Sequence, residues 1–194
     1  MWGVVMNSTS ERLKMFVVAA MFAAITGILA QMVIPLPLVP ITGQTLAVGL
    51  TATILGSRYG TLAMILYAIM GAIGLPVFTE ASGGFHVILG KTGGYIIGFI
   101  FTAFVTGIIL EKTRFSFLYA MLANTAGMVV TLVFGVVQLK YVLDAPWDKA
   151  LEWGVYPFIV VGLIKAALAS FIGVKVRERL IAARLLKEEV PKSA

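Results

Sequence analysis

The sequence predicts an all-α integral membrane protein: a single bundle of six transmembrane helices with a structured external loop between helices 3 and 4. Three observations carry that reading. Of 194 residues, 60% are hydrophobic and 12% charged, against roughly 45–50% and about 25% in soluble domains. A compact soluble fold would leave much of this apolar surface facing water. Apolar stretches approach 20 residues, the length that crosses a hydrocarbon core about 30 Å thick. Lysine and arginine collect in alternate connections, as cytoplasmic loops require. The absence of cysteine removes disulfides, thiolate nucleophiles and cysteine metal sites.

The first span is read over 13–34. Its apolar run exceeds the 7–15 residues of a cleaved leader, so it is expected to remain as helix one. Within it Ala19, Ala20, Ala23, Ala24 and Gly27 fall at the small-xxx-small spacing that lets another helix approach closely. Packing inside the protein's own bundle and docking of a partner both fit that stripe. The region 45–74 is broken at Gly56-Ser57-Arg58-Tyr59-Gly60, leaving halves of 45–56 and 60–74, each short for a straight crossing. It reads as a tight helical hairpin whose ends are covered by protein, because unpaired backbone groups facing lipid cost several kcal/mol each.

The connection 75–94 is long, and such loops are functional or disordered. Phe78, Phe85, Val87, Ile88 and Leu89 are too apolar to be solvated, so the segment is expected to fold as a lid over the outer face, or as a plug. Lys91 in this loop offers a second anion contact. Gly84 and Gly90-Lys91-Thr92 enclose five residues where a P-loop has four, and no soluble strand precedes them, so nucleotide binding there is rejected. His86 alone is read as a loop histidine, with no metal site.

Spans over 95–110, 115–139 and 156–176 complete the bundle. Asn124 and Gly127 put a polar, roomy patch in the fifth span, which either lines a cavity or bonds a neighbouring helix. Trp147, Trp153 and Tyr156 are placed as outer-interface anchors. A basic tail, 177–194, is expected to continue the last helix into the cytoplasm. With both termini inside, the cytoplasmic segments hold Arg12, Lys14, Arg58, Lys112, Arg114, Lys175, Arg177, Arg179, Arg184, Lys187 and Lys192, eleven of the fifteen basic residues. The formal charge of +6 therefore reports topology. Without an aromatic-basic platform it gives no support for nucleic-acid binding.

The fifteenth basic residue, Lys165, lies inside the last span, nine residues past Tyr156 and so ~14 Å below the outer boundary. Its stem is too short to snorkel that far, and all nine acidic residues fall in loops or tails. Ionisable groups at such depth mark ligand or ion pathways, so Lys165 is expected to meet an anionic group of a ligand, with Gly162 leaving space beside it. The competing reading holds the amine on helix-end carbonyls, a neighbouring hydroxyl, or Glu80. With no carboxylate pair, metal cluster or activated nucleophile, binding an organic anion fits better than catalysis.

The run Pro35-Leu-Pro-Leu-Val-Pro-Ile-Thr-Gly-Gln-Thr45, with Leu55-Gly56-Ser-Arg-Tyr-Gly60, Gly74-Leu-Pro-Val-Phe78, Gly83-Gly84, Gly90 with Thr92-Gly-Gly-Tyr95, and Leu163-Ile-Lys-Ala-Ala-Leu168, resembles the BioY family, the biotin-specific S components of energy-coupling factor (ECF) transporters. The resemblance runs from helix one to about Val176. It implies a multi-pass protein of a prokaryotic cell membrane that is not an enzyme and carries no cofactor. Such a subunit captures biotin outside and docks on a transmembrane coupling protein, EcfT, driven by two ATPase subunits. Taken with the reading of the residues themselves, the expected pocket is Lys165, Ser82, Phe78, Gly93, Gly94 and Tyr95, with Lys91, Gln44, Asn124 and Gly162 beside them, and the resemblance shifts the alanine stripe of helix one toward partner docking. Three departures bear on the ligand: Pro-Gly-Asp, frequent before the lysine, reads Val160-Val161-Gly162 here, Ser82 stands where some members have asparagine, and Lys91 replaces a frequent proline. Lipoate or another carboxylated ring vitamin is therefore an alternative ligand, and a self-sufficient secondary carrier an alternative mode of transport.

Overall fold

The structure, a computed structural model, describes residues 2–186, with side chains from residue 11 onward. Lys187 and Lys192, at the end of the predicted basic tail, lie outside the described residues. The chain is helical almost throughout: α1 (Trp2–Leu29), α2 (Gln44–Ala72), α3 (Phe85–Leu89), α4 (Gly93–Lys112), α5 (Phe117–Leu143), α6 (Trp147–Gly154) and α7 (Tyr156–Ala182). Among the described residues, five helical stretches are long and apolar enough to cross a membrane.

The first of these ends earlier than the sequence suggests. Instead of running to residue 34, α1 stops at Leu29, and the strand β1 (Val33–Ile34) pairs antiparallel with β2 (Ile41–Thr42). The reason is local: β-branched residues followed by Pro35 disfavour a helix, and an apolar run has the same hydropathy whether coiled or extended. This small ladder delivers Thr42 to the start of α2.

Helix α2 folds back on itself. Gly56 has φ 74° and ψ −172°, a conformation closed in practice to residues with a side chain. Gln44 and Tyr67 lie 23 positions apart, which a straight helix would separate by ~35 Å, yet the Gln44 amide donates to the Tyr67 hydroxyl. A Cβ added to Gly60 would lie 3.2 Å from Ala52 Cα. The two limbs therefore run side by side. Their turn is held from two directions. Glu111 of α4 accepts from the Ser57 N–H (2.5 Å) and hydroxyl (2.7 Å), supplying an acceptor to the start of the second limb. Arg177 of α7 donates to the Ile54 carbonyl (2.5 Å), an acceptor freed by the turn, and its guanidinium lies 3.7 Å from the Phe115 ring centre. The sequence places Arg177 at the start of the basic cytoplasmic tail that continues the last helix. The residue is 4% exposed, because α7 continues past the membrane-length run and packs along the turn.

The alanine stripe of α1 divides. Ala19, Ala23 and Gly27 are buried against the bundle, while Ala20 and Ala24 are exposed. A Cβ on Gly27 would lie 3.1 Å from Val77 Cβ, so that position sets the approach of the segment following α2. One element lacked any expectation. Pro146 at its amino boundary and Asp148 in its first turn start the short helix α6, both common ways to open a helix.

The connection between α2 and α4 is folded. It contains a single 3₁₀ turn (Thr79–Ala81) and α3, and two amides staple it to the bundle. Gln31 donates to the carbonyls of Gly27 (2.9 Å) and Phe78 (3.0 Å) and accepts from the Ala81 N–H (2.8 Å). Gln138 of α5 donates to the carbonyls of Ile88 (2.7 Å) and Gly90 (2.8 Å).

Candidate functional site

Beneath this folded connection, α2, α4, α5 and α7 enclose a cavity of about 90 Å³, several times the roughly 10–15 Å³ that holds one water. Val48, Ile96, Phe99, Leu132 and Phe158 give it apolar walls, and Tyr95 and Phe158 set their rings 6.1 Å apart. Such a mainly apolar pocket with few polar groups suits a small organic ligand.

Lys165 supplies the charge. Its Nζ donates to the Thr42 carbonyl (2.6 Å) and the Thr45 hydroxyl (3.1 Å), and no ion-pair partner faces it among the described residues. Glu80 is exposed. The amine is thus held by neutral oxygens, a carbonyl and a hydroxyl. Thr45 sits in the first turn of α2, which carries no acidic residue. Free N–H groups and the positive end of the helix dipole face the same corner. Ammonium and helix end share one sign of potential, and a ligand carboxylate would satisfy both.

A second polar group is built around Gln44. Its Oε1 accepts from the hydroxyls of Thr42 (2.8 Å) and Thr79 (3.3 Å), while its amide nitrogen donates to Tyr67. Tyr67 in turn donates to the Val77 carbonyl (3.1 Å). This chain ties the base of the folded connection to the hairpin. Phe78, 1% exposed, drops from that connection onto Tyr67 with ring centres 5.5 Å apart. Its ring occupies the space that a Cβ at Gly71 would need.

Of the residues singled out from sequence, Lys165, Gly162, Asn124, Gln44 and Tyr95 line one cavity, together with Phe78 and Ser82. Their functions differ from one another. The Tyr95 hydroxyl donates to the Gly154 carbonyl (2.8 Å), so it is already engaged within the protein while the residue lines the cavity. Ser82 donates to the Thr79 carbonyl (2.7 Å), closing the 3₁₀ turn. Gly162 leaves room for the Met128 side chain, whose sulfur a Cβ there would overlap.

Three expected contacts are displaced. Lys91 is exposed in the turn before α4 and stands outside the cavity wall. Gly93 and Gly94 are buried: a Cβ at the first would overlap the Ile88 carbonyl of α3 and lie 2.6 Å from Gln138 Nε2, and one at the second would overlap the Phe134 carbonyl oxygen of α5. Gly93 lets α3 close on the start of α4, and Gly94 brings α4 and α5 together. The sequence reading passed over the threonines. Thr42 and Thr45 hold the lysine, and Thr102 pairs with Thr131 (2.6 Å) while donating to the Gly127 carbonyl (2.8 Å). Threonine in a membrane helix bonds its own backbone as readily as a ligand, so nothing in its spacing marks the site.

Residues 6–182 match the BioY family. The chain is 40% identical to the biotin transporter BioY of Thermotoga maritima, over 86% of this chain and 97% of that one. It is 37% identical to the biotin transporter BioY2 of Lactococcus lactis subsp. cremoris, over 84% of this chain and 90% of the relative. Among solved structures it resembles the crystallised S component for biotin from an ECF-type ABC transporter, with a TM-score of 0.79 and 28% identity, covering 87% of this chain and 93% of that one.

Proposed function

The chain belongs to the BioY family, and on that premise we propose that this multi-pass membrane transport protein captures biotin on the outer side of a prokaryotic cell membrane. It then delivers the vitamin through an ATP-driven ECF module. The observation that carries the ligand reading is Lys165, a half-buried ammonium at the wall of an apolar cavity with neutral oxygens as its partners. An acid with a buried apolar ring matches that arrangement, the carboxylate completing the lysine's shell and the ring filling the aromatic walls. The relatives' names point to biotin as that acid.

Lipoate is a second reading, favoured by the missing acidic residue at Val160-Val161-Gly162, since a cavity with fewer polar groups tolerates a ring without N–H donors. Calorimetry on purified protein separates the two. Biotin is expected to bind at least ~10-fold tighter than lipoate, the discrimination that one unmatched buried hydrogen bond can give. Equal or reversed affinities would assign the site to the other ring.

Six crossings with both termini cytoplasmic remain the topology that best fits the charge distribution, the two limbs of α2 acting as separate spans. In that frame Ala20 and Ala24, exposed on α1, form the face for EcfT, which acts with two ATPase subunits. Ala24→Trp is expected to leave biotin affinity within a factor of two and to abolish co-purification with EcfT. Intact assembly would remove α1 from the interface. Transport of biotin by the reconstituted chain alone would favour a secondary carrier.

A further inference from the structure

Asn124 of α5 lines the inner part of the cavity and is 5% exposed. Three oxygens surround its amide nitrogen: Thr53 Oγ1 (2.9 Å), the Ala120 carbonyl (3.0 Å) and Ser170 Oγ (3.2 Å). None of the three can donate back. A carbonyl has no proton, and each hydroxyl has one; that of Thr53 goes to the Gly49 carbonyl (2.7 Å) and that of Ser170 to the Ala166 carbonyl (2.6 Å). A flipped amide would press its oxygen against three acceptors, so the network fixes the NH₂ toward α2 and α7. Among the described residues nothing donates to the Oδ1, which lies beside Gly49. A Cβ at Gly49 would lie 2.6 Å from this oxygen and 2.9 Å from Ala169 Cβ, so the absence of a side chain there keeps the oxygen open to the cavity.

Two features make this a ligand contact in its own right. A nearly buried carbonyl oxygen without a donor is a costly arrangement in an apolar wall unless something completes it. Its place is also set relative to the ammonium. Gly49 lies one turn beyond Thr45 on α2, and Ser170 lies five positions beyond Lys165 on α7, which puts the two polar ends ~6–8 Å apart along the helices. The cavity therefore offers a cationic donor at one end and a neutral acceptor at the other, with rings between them. We infer that Asn124 Oδ1 accepts a hydrogen bond from a ring N–H of the bound acid and is the residue that selects a ureido ring over a sulfur ring lacking N–H. This inference rests on the biotin reading above. It also assigns the polar contact to α5, where the expected acidic residue of α7 is replaced by Val160-Val161-Gly162.

The test compares biotin with biotin methylated on both ring nitrogens, by calorimetry on the unmodified protein and on Asn124→Ala. Methylation is expected to weaken binding to the unmodified protein by at least ~10-fold and to the variant by less than ~3-fold. An equal penalty on both proteins would overturn the assignment. Asn124 also links three helices, so the variant's fold is a concern, and a structure of unmodified protein with biotin bound gives a second readout. A ring nitrogen within 2.7–3.2 Å of Oδ1 supports the contact, and ring nitrogens turned to other groups refute it while leaving biotin as the ligand. Failure of the unmodified protein to bind biotin at all would remove the ligand reading and this assignment together.

Discussion

Replacing Lys165 with leucine is expected to weaken biotin binding by ~30–100-fold, the loss of one charge-assisted hydrogen bond in a half-buried site. Leucine keeps the apolar stem and removes the Nζ, leaving the Thr42 carbonyl to face a carboxylate as a like-polarity oxygen and the neutral Thr45 hydroxyl as a weaker donor than the ammonium. The companion measurement modifies the ligand. Biotin methyl ester lacks the negative charge, so it should bind the unmodified protein with a similar loss. It should bind Lys165→Leu about as well as the free acid does. That convergence isolates the ammonium–carboxylate pair from any packing effect of the substitution. A variant that still discriminates acid from ester would move the carboxylate elsewhere, and the exposed Lys91 would become the group to examine.

The lysine was legible because a charge inside an apolar stretch has few structural explanations. The hairpin was legible for a related reason: Gly56-Ser57-Arg58-Tyr59-Gly60 interrupts a run otherwise long enough to cross. That helix-end carbonyls or a hydroxyl could hold the lysine was legible as the competing reading, and the structure shows a carbonyl and a hydroxyl; which residues supply them was not. The lysine's shortest contact is the main-chain carbonyl of Thr42, and any residue supplies a carbonyl; β1, the strand that pairs with the one carrying Thr42, looks, by hydropathy, like the end of a helix. Lys91 shows the converse error. A lysine in a glycine-rich connection can point either way, and here the turn into α4 leaves it outside. Gly93 and Gly94 have the close backbone approach expected of glycine, but to Ile88 of α3 and Phe134 of α5 and not to the cavity. Gln31 and Gln138 did leave a signal. Each is an amide in an apolar stretch, and both are used to pin the connection over the cavity.

A strongly damaging change to the fold is expected at Gly107, whose substitution reaches the site through the hairpin. A Cβ there would overlap the Ser57 nitrogen and Cα and would meet the Gly56 carbonyl carbon at 2.5 Å. All three are backbone atoms of a turn already fixed by the positive φ of Gly56. Neither side can yield by changing a rotamer, so α4 and the turn must separate. Glu111, four residues on and on the same face of α4, would be carried away from the Ser57 N–H and hydroxyl that it caps. The cost combines overpacking and a lost charged cap, ~2–4 kcal/mol together. For a chain of this length that corresponds to a fall in melting temperature on the order of 10 °C. Biotin affinity should fall with it. The first limb of α2 carries Gln44, Thr45 and Gly49 on the cavity wall, and those residues can keep their places only if the turn holds its own. Phe104→Ala, three residues earlier on α4 at a side chain 46% exposed, serves as the control and should shift melting by less than ~2 °C. Thermal unfolding of detergent-solubilised Gly107→Ala, with and without biotin, decides the matter. An unchanged melting temperature would show that the turn has slack, and the clamp formed by Gly107, Glu111 and Arg177 would no longer explain how two short helical limbs stay paired.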